Sequence, residues 1–260
     1  MKLGISKGCY GKISIEEELR LMKENGFTAT FVSNEYEAFD RDVEALQAAG
    51  IEVETIHAPF DGINEIWLEG EKGDRMLQRL IACLQDAKRH QIPRIVVHMS
   101  SGIRPPMISD IGNARFAALM EASREIGVSI AFENQRKLAN LALMFEYYED
   151  ALFCWDVGHE ACFAGGREYM PLFGDKLAAL HIHDNTCEFN HDFHMLPYDG
   201  KINFDKVARA IAESGYTGTL MLEVGRWGSP RYDGLSAEEY YNRAGIAAKR
   251  LRDAVESYRK

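Results

Sequence analysis

The chain has 260 residues, with 30 Lys+Arg against 40 Asp+Glu for a formal charge of −10, 46% hydrophobic and 27% charged. That composition excludes a disordered polyelectrolyte and a disulfide-stapled miniature. A chain of this mass should expose roughly 11,500 Å² when folded against roughly 43,000 Å² unfolded, so about three quarters of its surface can be buried. The acidic balance also argues against nonspecific binding to nucleic-acid phosphates. The start, Met1-Lys2-Leu3-Gly4-Ile5, lacks a signal-peptide core, and no apolar run approaches the roughly 20 residues of a bilayer span. The expectation is a cytoplasmic protein with no membrane and no nucleic-acid partner. Cys9, Cys83, Cys154, Cys162 and Cys187 form no C-x-x-C pair and read as reduced core or incidental thiols.

In chain order, strands are expected at Leu3 to Ser6, Ala29 to Ser33, Glu52 to His57, Arg94 to His98, Ser129 to Glu133, Leu152 to Asp156, Ala178 to His183 and Thr219 to Val224. Helical stripes lie between them. Ile15, Leu19 and Met22 follow the capping box Ser14-x-x-Glu17 and stop at Gly26. Leu77, Leu80, Ile81 and Leu84 make a second stripe, Phe116, Leu119, Ser123 and Ile126 before Gly127 a third, and Val207 with Ile211 before Gly215 a fourth. The sixth helix, within Arg167 to Gly174, is interrupted by Pro171 and Gly174. A last helix opens with Ser236-x-x-Glu239, and its Tyr240, Tyr241, Ala244, Ala247, Leu251 and Val255 should pack on the chain's own first and last units; pairing with another copy as a homo-oligomer is the alternative. Eight β/α units without a G-x-G-x-x-G turn predict an α/β fold, a single (β/α)8 TIM barrel over 1–260, with an open doubly wound sheet as the lesser alternative.

The strands share one ending. Each of six apolar runs closes on a metal-competent side chain: His57, His98, Glu133, Asp156, His181 and Glu223. In a parallel barrel all C-terminal strand ends open on one face, so these residues converge despite their spacing. Unpaired carboxylates buried there would be costly, and a cation compensates them. Glu133, Asp156, His181 and Glu223 then form an oxygen-rich site of charge −3 for Mn²⁺, Co²⁺, Mg²⁺ or Zn²⁺, with no organic cofactor. A second cluster follows: Asp156-x-x-His159, His181-x-His183-Asp184-Asn185 and Asp192-x-His194. His183 and Asp184 read first as groups that orient His181 or anchor the loop.

Ile56-His57-Ala58-Pro59, Val96-Val97-His98, Phe132-Glu133-Asn134, Trp155-Asp156-Val157-Gly158-His159, His181-Ile182-His183-Asp184-Asn185, Asp192-x-His194 and Glu223 together resemble the xylose isomerase-like barrels, which include sugar isomerases, ketose 3-epimerases and endonuclease IV. The resemblance implies that Glu133, Asp156, His181 and Glu223 are metal ligands. It also makes Glu133 and Glu223 the acid and base of a proton transfer through an enediolate, and His159 the contact to a substrate hydroxyl. The substrate would be a small carbohydrate, a keto-sugar or sugar phosphate. No lysine lies in these motifs, which favours proton transfer over hydride shift. His57, His98 and His183 are assigned to substrate binding, with Arg226 (or Arg136) as an anion anchor and Trp67, Phe60, Phe163 or Trp227 as stacking platforms. Glu133-Asn134-Gln135-Arg136 departs from the ketose 3-epimerases, which carry a further carboxylate soon after that Glu.

Endonuclease IV-like chemistry is the competing expectation, a trinuclear zinc phosphodiesterase. Additional ions would take His57, His98 and Glu133, and His159, Asp192 and His194. The −10 charge and the acidic loop Phe60-Asp61-Gly62-Ile63-Asn64-Glu65 disfavour DNA. A lyase acting on an oxidised sugar with the same metal centre is the third reading.

Overall fold

The computed structural model describes residues 1–259. Its elements in order are β1 (Lys2–Ile5), α1 (Ile15–Glu24), β2 (Ala29–Ser33), α2 (Phe39–Ala48), β3 (Glu52–His57), α3 (Glu71–Arg89), β4 (Arg94–His98) and α4 (Asp110–Ile126). There follow β5 (Ser129–Glu133), α5 (Leu138–Tyr147), β6 (Leu152–Asp156), α6 (Val157–Phe163), α7 (Met170–Phe173), β7 (Leu177–His181), α8 (Phe204–Glu213), β8 (Thr219–Leu222) and α9 (Ala237–Tyr258).

The strands pair in parallel in the order β7-β6-β5-β4-β3-β2-β1-β8. The ring closes between β7 and β8, where the Ile182 N–H donates to Met221 O at 2.9 Å and the Glu223 N–H to Ile182 O at 3.0 Å. The fold is therefore a single (β/α)8 barrel, and the open-sheet alternative falls. The accessible surface, 11681 Å², agrees with the roughly 11,500 Å² expected from size.

Side chains alternate along a strand, which divides the core in two. Val96, Ala131, Cys154 and Ala179 pack together in one small buried cluster, each two residues before a polar strand end. Their alternating neighbours Ile95, Val97, Ile130, Phe132, Phe153, Leu180, Leu220 and Leu222 join the large core shared with the helices. The period of two thus aims His98, Glu133, Asp156 and His181 into the barrel mouth.

The helix signals correspond to real caps. Ser14 Oγ accepts from the Glu17 N–H, Ser236 and Glu239 form a reciprocal capping box, and Gly127 ends α4 at φ 77°. Tyr240, Tyr241, Ala244, Ala247, Leu251 and Val255 are all buried in this one chain, so α9 covers its own barrel. The sixth position differs from expectation. The chain turns directly from β6 into α6, with Asp156 as N-cap, and then makes only the one turn of α7, with Pro171 in its first turn and Gly174 at its end. β7 and β8 also stop earlier than expected, at His181 and Leu222, so Glu223 stands just beyond its strand.

Trp67 corrects a second expectation. It lies in a short 3-10 segment, Ile63–Trp67, and is 1% exposed. Its indole N–H donates to Met99 O at 2.6 Å and its ring packs on Phe116, with centroids 5.0 Å apart. A Cβ on Gly112 would collide with that ring, so Gly112 is what admits it. Trp67 is a core residue and offers no face to a substrate. Among the described residues, no helix is long and apolar enough to cross a membrane.

Candidate metal centre

Strand register does the first part of the assembly. His98 is the direct neighbour of Glu133 across β4 and β5, and Asp156 of His181 across β6 and β7. Glu223 joins them through the closing hydrogen bond to Ile182. The result is a group of Glu133, Asp156, His181 and Glu223 whose donor atoms all lie within 4.8 Å of one another. His181 Nδ1 is 3.2 Å from Glu133 Oε2 and 3.3 Å from Glu223 Oε2.

These residues fit a divalent cation. Each leaves a buried atom without a hydrogen-bond partner: Glu133 Oε2, Asp156 Oδ2, His181 Nδ1 (its Nε2 is unpartnered too) and Glu223 Oε2. Buried polar atoms are rarely unpaired, and four unpaired atoms facing one point are the signature of a ligand shell. Three carboxylates with one imidazole suit Mn²⁺, Co²⁺, Mg²⁺ or Zn²⁺. The rest of Asp156 is tied down. Asp156 Oδ1 accepts the His159 N–H at 2.5 Å, and the Asn134 side chain both accepts from the Asp156 N–H (2.7 Å) and donates to Asp156 O (2.8 Å). Cys154 also borders Glu133 and His181. Burial pushes its thiol up to about 12.

His57 and His98 stand on the far side of Glu133. Their Nε2 atoms are 3.2 Å apart and lie 3.5 and 3.2 Å from Glu133 Oε2. Phe60, 48% exposed, places its ring 4.8 Å from His98 and 5.4 Å from His57. It is the expected stacking residue that does border the mouth. Phe163 is buried and stacked on His159 at 5.0 Å. Trp227 is 70% exposed on the loop after β8. Arg226 sits over the Tyr10 ring at 5.1 Å, and Arg136 over Phe163 at 3.6 Å while donating to Asn190 Oδ1.

His159 differs from the expectation of a substrate contact. Its Nδ1 lies 3.1 Å from Asn134 O and 2.9 Å from Glu133 Oε1, and its Nε2 is 3.2 Å from Asp192 Oδ2. Both ring nitrogens face protein groups. His183 is likewise unsuited to substrate, being fully buried beside Gly158 and His194. Asp184 is the loop anchor, accepting from the N–H groups of Asn185, Gly200 and Ile202. Two residues were missed in sequence. The Gln135 carboxamide fills the gap between His98 and His159, its nitrogen 3.2 and 2.9 Å from their ring nitrogens, and Gly158 makes room for His183. Neither residue type announces such a role.

Without an ion the mouth is a lattice of imidazolium and carboxylate. Burial would lower His159 and His181, but their neighbours, chiefly Asp156 and Asp192 for the first and Cys154, then Glu223 and Glu133, for the second, raise both well above the usual value. His194 opposes its own burial through Asp192 and rises to about 9. Burial would raise Glu133 and Glu223, yet His98 and His181 for the first and His181 for the second hold them below the carboxylate range. The raised histidines stabilise the metal-free fold fully below about pH 6.5, and lose that contribution as pH climbs toward about 9. The depressed carboxylates contribute above their unfolded value and lose it as pH falls. Metal ligation needs the imidazole protons removed, so ion affinity rises through the window in which the metal-free pairs weaken. The increase in Tm caused by saturating zinc should therefore grow between about pH 6 and about pH 8.5. An increment that shrinks over that range, measured by scanning fluorimetry, contradicts the ligation.

The comparisons agree with this fold. The family described as a xylose isomerase-like TIM barrel matches residues 19–249, and the chain belongs to that family. Over 130 residues, 49% of this chain, it is 38% identical to an uncharacterized protein, y4fM, of Sinorhizobium fredii, and the match spans 39% of that relative's length. Among solved structures it is similar to D-psicose 3-epimerase from Clostridium cellulolyticum H10 with D-tagatose, with a TM-score of 0.78, 14% identity, and coverage of 98% of this chain and 99% of the other. It is also similar to the IolI protein with a bound zinc atom, with a TM-score of 0.75, 19% identity and 99% of each chain covered. At these identities the likeness shows the fold.

Proposed function

We propose that the protein is a divalent-metal-dependent isomerase or epimerase of a keto-sugar or sugar phosphate, working by proton transfer through an enediolate. The observation that carries this reading is the convergence of four unpartnered atoms from Glu133, Asp156, His181 and Glu223. When bound, a divalent ion would supply Lewis acidity to a substrate carbonyl and an adjacent hydroxyl. Glu133 and Glu223, which approach His181 from two sides, then form the proton-transfer pair: one carboxylate takes the carbon-bound proton, and the other, entering the cycle protonated, returns one. Asp156 and His181 complete the ion's shell. His57 and His98 present their imidazoles next to Phe60, whose exposed ring offers an apolar platform to the C–H face of a sugar. Turnover of the keto-sugar in D₂O should place deuterium on the reacting carbon, detected by mass spectrometry. Product free of label would point to hydride transfer instead.

A second reading, a multinuclear phosphodiesterase, is favoured by the fully assembled His57, His98 and Glu133 group, which could hold a further ion. Against it stand the −10 charge and the exposed Phe60 where a DNA-binding loop would offer cations. Cleavage of abasic DNA, with no keto-sugar turnover, would establish the second reading over the first.

A further inference from the structure

The ring of helices around the barrel is incomplete at its sixth position. α3 and α4 run for 19 and 17 residues, whereas α6 has 7 and α7 has 4. Gly165 and Gly166, both at positive φ, turn the chain out of the first piece, and Pro171 and Gly174 confine the second to one turn. The strands of such a barrel rely on outer helices for cover. Here the missing turns leave a cleft of about 680 Å³ among α6, α7 and α8. Ligand sites commonly enclose about 300–1,000 Å³, so a small organic molecule fits.

Its walls are mostly apolar. Trp155, Val157, Met170, Val207 and Ala210 line it, and the half-buried Glu160 stands among them. The Trp155 indole N–H and the Tyr169 backbone N–H both donate to Glu160 Oε2, each at 2.9 Å. Among the described residues no donor reaches Oε1. The carboxyl is thus fixed through one oxygen and leaves the other unmatched. Burial raises this carboxyl above its ordinary value, a cost that a cation in the cleft would offset.

The cations of the lining are already engaged. Arg167 donates to Ala164 O at 2.7 Å, Lys206 Nζ lies 2.5 Å from Glu168 Oε1, and Arg209 sits over the Tyr258 ring at 4.8 Å. Asp175 and Glu213 also line the cleft and have no ion-pair partner among the described residues. The unmatched charge is therefore negative, which disfavours a phosphate or carboxylate ligand. We propose that this cleft binds a small organic amine, with its ammonium on Glu160 Oε1 and its apolar body against Val157, Met170 and Val207. The ammonium supplies the charge-assisted hydrogen bond that Oε1 lacks, and the body covers apolar wall otherwise left to water. The site lies among the outer helices, apart from the barrel mouth, and does not depend on the isomerase reading.

Tryptamine is a suitable probe, an ammonium on a flat apolar body, and tryptophol differs only in carrying a hydroxyl in its place. Calorimetry on the full-length protein, with its metal content as isolated, reads binding without turnover. Tryptamine should bind at a single site with a Kd below about 1 mM. Tryptophol should bind at least about tenfold more weakly. Glu160→Gln keeps an acceptor for Trp155 and Tyr169 but removes the charge, and should weaken tryptamine at least about tenfold. Ala210→Trp, which fills the cleft from α8 and leaves Glu160 in place, should abolish binding. Circular dichroism establishes that each variant folds, and if one does not, the other decides. The proposal is overturned if tryptamine does not bind, if tryptophol matches it, or if either folded variant binds tryptamine as wild type does.

Discussion

Glu133→Gln should turn over a keto-sugar at least about 10³-fold more slowly while retaining the barrel. Glu133 is the most heavily shared group in the mouth. Its oxygens lie 3.5 Å from His57, 3.2 Å from His98, 2.9 Å from His159 and 3.2 Å from His181. The amide keeps the volume but removes the charge that four imidazoles face, along with the lone pair that an ion would take. Base and ligand are lost together, so the fall should lie in or beyond the upper half of the roughly 10²–10⁴ usual for a general base alone. Circular dichroism establishes the fold, elemental analysis the ion and steady-state assay the rate. Near-wild-type turnover would remove Glu133 from the chemistry.

Trp67→Ala should have the opposite profile. The ring is 1% exposed between Phe116 and Gly112, with its N–H bonded to Met99 O. Emptying such a site costs about 3–5 kcal/mol, and in a chain this long should lower Tm by about 10 °C. Because the ring does not reach the mouth, KM for the sugar should be unchanged in the folded protein. A raised KM with unaltered Tm would restore Trp67 to substrate binding.

Much of the barrel was legible because its code is local. Strands of four to six β-rich residues alternating with capped amphipathic helices need no tertiary information, and Ser14, Ser236 and Gly127 mark helix ends by side-chain and backbone chemistry alone. The elements left unmarked, α2 and α5, have no side-chain N-cap, and α5 is apolar on several faces. The ligand set was legible for a topological reason. Once every strand is parallel, each terminal polar residue must share one rim, so Glu133, Asp156, His181 and Glu223 could be grouped across 91 positions of sequence (223 − 133 + 1). Ring orientation was not legible. Nothing in Asp-x-x-His says that Asp156 will cap α6 and turn His159 toward Asp192, and nothing in Gly158 says that His183 needs its missing Cβ. Trp67 failed for the same reason, since an aromatic on a mouth loop looks alike from sequence whether it faces in or out.

The most direct measurement is anomalous diffraction from a crystal of the full chain soaked in manganese chloride. One strong peak should lie about 2.0–2.2 Å from Glu133, Asp156, His181 and Glu223 together. A map with no peak among those four residues, in crystals where manganese is bound elsewhere, would contradict the assignment of this mouth as a metal centre.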